Sequence, residues 1–92
     1  MSDKDSISQR ISRMKLATPV VSIGEDATGV QYVKLANGST LFLEPIRHPG
    51  NNEKSYEYNL YHKIPGALSD KGVLKLNKAF EEDILWWVLE NI

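Results

Sequence analysis

Apolar positions in the first stretch of the chain recur at helical spacing. Over 6–16, Ile7, Ile11 and Met14 fall at i, i+4 and i+7, with Gln9, Arg10, Arg13 and Lys15 between them. That spacing predicts a short amphipathic helix whose stripe is thin, and a helix so short needs something to dock on. Pro19 ends it, and the Val- and Ile-rich segment 19–23 predicts a strand that runs into a polar turn over 24–29. Two apolar runs, 30–35 and 40–46, then flank Ala36-Asn37-Gly38-Ser39, and Asn-Gly between apolar strands is a strong hairpin signal. Read as a two-residue type I′ loop, the hairpin sets Ala36 opposite Ser39, Val33 opposite Phe42 and Tyr32 opposite Leu43. In that register Val33, Leu35 and Phe42 share one face while Val30, Tyr32, Leu41 and Leu43 share the other. A sheet apolar on both sides needs a cover on each.

The polar segment 47–54, with Pro49-Gly50 near its start, is longer than a tight hairpin requires and predicts a protruding loop. Segment 55–63 alternates, placing Tyr56, Tyr58, Leu60 and His62 on one face against Glu57, Asn59, Tyr61 and Lys63 on the other. Two loops, through Ile64-Pro65-Gly66 and Asp70-Lys71-Gly72, lead to a brief strand over 73–76. Asn77 is placed as the N-cap of a helix over 77–91. In that helix Phe80, Ile84, Trp87 and Val88 form one stripe, widened by Leu85, Leu89 and Ile92. Trp86 projects on the opposite side, with Ala79, Glu82, Asp83 and Glu90. The pattern predicts an α+β fold: an antiparallel four- to five-stranded sheet with a short N-terminal helix and a C-terminal helix. The expected division of one domain over 1–92 is an arm or short helix over 1–17, the sheet over 18–76 and the helix over 77–92.

Composition narrows the picture in three ways. Ninety-two residues suffice for one domain, and the lack of cysteine removes disulfides, thiolate metal ligands and thiol nucleophiles. The net charge of −1 argues against both a polycation that coats nucleic acid and an acidic mimic of DNA. The charge is unevenly placed, since residues 1–80 sum to +3 and residues 81–92 to −4. The macrodipole explains that clustering, because Glu81, Glu82 and Asp83 would sit in the first turns of the last helix. The longest apolar run, 84–89, is far short of the ~20 residues of a membrane span. With no apolar leader at the N-terminus, a cytoplasmic protein without membrane contact is expected.

Candidate chemistry is sparse. Two histidines, His48 and His62, have no accompanying ligand pattern, so neither a metal nor any other cofactor is expected. No nucleophile elbow, phosphate-binding loop or paired carboxylate is present, and an enzyme is not expected. Binding is the better reading. Tyr56, Tyr58 and His62 with Lys54 and Lys63 form a possible aromatic platform for single-stranded nucleic acid, although such a stripe is more commonly sheet packing. Arg47, His48, Asn51, Asn52 and Lys54 in the long loop, with Lys63 and Lys71 if the loops gather at one end, are the expected partner contacts, backbone phosphate among them. Trp86 joins them, either as an anchor for a partner or as the closure of a homodimer.

Lys71-Gly72-Val73-Leu74-Lys75-Leu76-Asn77-Lys78-Ala79-Phe80, running on to Leu85 and Trp86, resembles the end of the positive cofactor four family, in which such a strand feeds a helix with an early aromatic residue. The hairpin of Gln31-Tyr32-Val33-Lys34-Leu35 and 41–47 is similar in arrangement. The resemblance covers about half the chain and implies a dimeric binder of single-stranded DNA. The chain departs from it in the long insertion over 47–71 and in a charge that is not basic. In size, single domain and lack of catalytic residues the chain also resembles the small orphan proteins of phages, anti-CRISPR proteins among them. That likeness implies a non-enzymatic inhibitor or adaptor that docks on and blocks a larger host protein or nucleoprotein complex.

Overall fold

The computed structural model describes residues 6–46 and 57–92. Ser6 opens the first helix, α1 (Ile7–Ser12): its hydroxyl accepts from the Gln9 N–H while the Gln9 side chain accepts from the Ser6 N–H. This reciprocal box satisfies amides that a six-residue helix otherwise leaves to water. The helix is shorter than the apolar spacing predicts, yet Ile7 and Ile11 are fully buried by docking. Strands β1 (Val20–Glu25), β2 (Gln31–Leu35), β3 (Thr40–Ile46), β4 (Glu57–Lys63) and β5 (Val73–Phe80) follow, and α2 (Glu81–Asn91) ends the chain. The strands form an antiparallel five-stranded meander in the order β1-β2-β3-β4-β5.

The β2–β3 register differs from the expected one by a single residue. Tyr32 faces Phe42, Val33 faces Leu41 and Lys34 faces Thr40, so the loop is the three residues Ala36, Asn37 and Gly38. The Leu35 N–H donates to the Ser39 carbonyl at 2.9 Å and the Gly38 N–H donates to the Leu35 carbonyl at 3.0 Å. Gly38 takes φ 90°, whereas Asn37 is not at positive φ as a type I′ turn would demand. The slip sorts the hairpin. Val33, Leu35, Leu41 and Leu43 now share one face, and Tyr32 and Phe42 share the other.

One apolar face needs one cover, and both helices lie on it. Ile7 and Ile11 from α1 and Ile84 and Val88 from α2 join Val33, Leu35, Leu41, Leu43, Tyr58, Leu60 and Ala79 in a single buried cluster. α1 packs on β1 and β2, and α2 packs on β4 and β5. The expectation of two covers is not met among the described residues: the register gathers the aliphatic side chains under the helices, and no described element covers the second face.

The start of α2 also differs. Asn77 is not an N-cap: β5 continues to Phe80, pairing Ala79 with Tyr58 and Phe80 with Glu57, so the sheet ends at residue 80 rather than 76. Two register shifts and a positive φ at Lys78 carry the strand through this stretch, and the Lys78 N–H donates to the Asn59 Oδ1 at 3.0 Å. Phe80 occupies the N-cap without a side-chain bond and is half exposed, outside the apolar stripe assigned to it. No helix among the described residues is long and apolar enough to cross a membrane.

Candidate binding face

The uncovered face is ordered by the same register. Gly24 faces Tyr32, Tyr32 faces Phe42, Phe42 faces Tyr61 and Tyr61 faces Leu74, a row that crosses all five strands. Beside it runs a polar row in which Ser22 faces Lys34, Lys34 faces Thr40 and Thr40 faces Lys63. Neighbouring strands are ~4.8 Å apart, so Tyr32, Phe42 and Tyr61 occupy facing positions on three adjacent strands, spaced over ~10 Å of backbone. Gly24 makes room for the first of them, since a Cβ there would run into the Tyr32 ring and hydroxyl. The Lys34 ammonium lies 5.8 Å from the Tyr32 ring centre. Tyr32, Lys34, Thr40, Phe42, Lys63 and Pro65 line a shallow hollow of about 450 Å³ at this end of the face.

The other flank is a polar cluster around one carboxylate. Glu44 accepts from the Tyr61 hydroxyl at 3.1 Å and from the Asn59 amide at 3.2 Å, and the Lys71 ammonium is 3.6 Å away. The Asn59 bond, with help from Tyr61 and Lys71 against the opposing effect of burial, holds the Glu44 carboxyl below its ordinary value. Burial, then the neighbouring Glu44, pushes the Tyr61 phenol up. Lys71 also lies 5.6 Å from the Tyr61 ring centre, so its charge is committed to this cluster.

The candidate residues are thus divided. Lys63 and Lys71 do share the uncovered face, at opposite sides of the aromatic row. Trp86 is on the helical side of the molecule and does not join them. Arg47, His48, Asn51, Asn52 and Lys54, together with Tyr56, lie outside the described residues. The platform built on Tyr58 and His62 is overturned, because both side chains point into the helical side. Tyr58 is 9% exposed, and the His62 ring meets Trp87 edge-on at 6.1 Å between centres. The His62 Nε2 is buried with no partner, and burial followed by the charge of Lys75 lowers its pKa.

Tyr32, Phe42, Tyr61 and Lys34 are the members that sequence reasoning missed. Their signal was present in the rule that a register should collect the aliphatic residues on one face, which only the three-residue loop achieves. Among the described residues no group of three His, Asp or Glu side chains is placed to hold a metal ion. No family model, no curated protein and no solved structure matches the chain.

Proposed function

We propose that the chain is a non-enzymatic binding domain that takes single-stranded nucleic acid on the uncovered face of its sheet. The observation that carries this reading is the alignment of Tyr32, Phe42 and Tyr61 on adjacent strands, with Lys34 and Lys63 in the next row. Bases stack on aromatic rings without regard to sequence, and ammonium groups at the edge of such a row meet the phosphates that follow. A duplex hides its base faces and cannot use the row. Fluorescence anisotropy with labelled single strands and the matching duplex tests the proposal. Single strands should bind more tightly, and Phe42→Ala should weaken them by ~1–3 kcal/mol, the usual worth of one stacked base. Absence of single-strand binding at low salt, or an affinity that Tyr32→Ala and Phe42→Ala leave unchanged, would overturn it.

A second reading, an inhibitor or adaptor that docks on and blocks a larger protein, is favoured by a different surface. Ile64, Leu68 and Val73, all more than half exposed, border one hollow beside the start of β5. Apolar side chains gathered around a concavity suit a protein contact better than a phosphate backbone. Ile64→Asp with Val73→Asp should abolish capture of such a partner and leave oligonucleotide binding intact.

A further inference from the structure

One end of the uncovered face is closed. β3 begins at Thr40, which faces Lys34 on one neighbouring strand and Lys63 on the other, the last strand pairs of both ladders on that side. Beyond them the β2–β3 loop and the turn after β4 meet, since a Cβ on Gly38 would come within 3.1 Å of the Pro65 ring. Pro65 and Gly66 thus stand as a wall behind the two lysines, and Tyr32 and Phe42 complete the hollow of about 450 Å³. That volume suits a small ligand or a single residue of a polymer, whose sites span ~300–1,000 Å³.

Neither Lys34 nor Lys63 has a carboxylate partner among the described residues. Two ammonium groups and the Thr40 hydroxyl therefore border one hollow together with two aromatic side chains. An internal phosphodiester carries a single negative charge, whereas a terminal phosphomonoester carries about −1.5 to −2 at neutral pH and presents three acceptor oxygens. Two cations and a hydroxyl match the monoester in charge and in donors. The opposite side of the aromatic row holds Glu44, a carboxylate already engaged by Asn59, Tyr61 and Lys71, so phosphate is drawn to the lysine side alone. We propose that this hollow binds the phosphorylated end of a nucleic-acid strand. The terminal base lies against Tyr32 and Phe42, its phosphomonoester is held by Lys34, Lys63 and Thr40, and the Pro65-Gly66 wall stops the chain there. The inference rests on the single-strand reading and adds to it a preference for a chemically defined end.

Fluorescence anisotropy with an internally labelled oligomer tests it, the same sequence carrying a 5′-phosphate, a 3′-phosphate or hydroxyls at both ends. One phosphorylated form should bind about tenfold more tightly than the hydroxyl-ended strand, the worth of one added charge-assisted hydrogen bond. Lys34→Ala with Lys63→Ala should bring that ratio close to one. Adenosine and adenosine 5′-monophosphate, added as competitors, separate the two sources of the same group: a mononucleotide that binds as tightly as the phosphorylated strand assigns the hollow to free nucleotides, and a tighter strand assigns it to strand ends. Equal affinity for all three forms of the oligomer, or a phosphate advantage that survives the double substitution, would overturn the proposal. Binding of the hydroxyl-ended strand reports on the proposed function by itself, so the two can fail separately.

Discussion

Gly38 closes the β2–β3 loop at φ 90°, with the Asn37 carboxamide accepting from both the N–H and the hydroxyl of Ser39. A side chain at that φ is strained, so Gly38→Val should lower unfolding free energy by ~1 kcal/mol or more, seen as a shifted urea midpoint. Gly24 acts through space rather than dihedral: Gly24→Ala should displace the Tyr32 ring and reduce single-strand affinity while the chain stays folded. His62 makes stability depend on pH. Its pKa is lowered from the ordinary 6.5, so below that value the unfolded chain takes up a proton that the folded chain resists. Stability should be complete above ~6.5, fall as pH drops below it, and level off once the folded imidazole also protonates. Glu44 adds to the loss at lower pH, since its depressed pKa contributes stability that is present above the ordinary 4.5 and fades as pH falls through the folded value. Thermal melts from neutral to acidic pH should show both regimes, and His62→Gln should remove the first alone.

At the scale of elements, α1 and α2 are held by different means. The six-residue α1 depends on its cap and on two isoleucines, and Ser6→Ala should cost ~1 kcal/mol by leaving the Gln9 amide without its acceptor. The exposed Arg10–Glu81 pair contributes little by comparison, within ~1 kcal/mol. Along α2 the two sides separate cleanly. Ile84→Ala should cost ~2–5 kcal/mol through the cavity it leaves under the helix, while Trp86→Ala should fall within ~0.5 kcal/mol for a dilute monomer. Urea unfolding of the two variants measures the contrast, and equal losses would place Trp86 within the packing. As an edge strand, β5 is interrupted by its two register shifts and by the turn of the chain at Lys78. Those interruptions blunt an edge that would otherwise offer a long row of free backbone groups to another chain.

The whole molecule is two layers, with helices on one side of the sheet and nothing in the described residues on the other. This asymmetry puts aliphatic residues under the helices and leaves rings, hydroxyls and ammonium groups on the exposed side, although the net charge is −1. Binding through that face should therefore depend on a few local lysines rather than on overall charge. Removing Lys34 and Lys63 should reduce the slope of log affinity against log salt by about 0.7 for each phosphate that is no longer neutralised. An unchanged slope in the double alanine variant would place the phosphates elsewhere.

The spacing of apolar residues was enough to give the kind and order of the elements, though not every boundary, because helical and extended periods are local properties of the chain. It placed β3 at 40–46, the alternation of β4 and the outward Trp86 as observed. The register of the central hairpin was not local in that sense. Asn37-Gly38 serves a two-residue and a three-residue loop, and what separates them is the burial of Val33, Leu35, Leu41 and Leu43 together beneath two helices distant in sequence. The same applies to 77–80, which reads as the opening of a helix until pairing with β4 holds it extended. Tertiary structure thus decided which side chains face outward, because a shift of one residue reverses every side chain along a strand, and the energy that selects between the two arrangements comes from packing between elements.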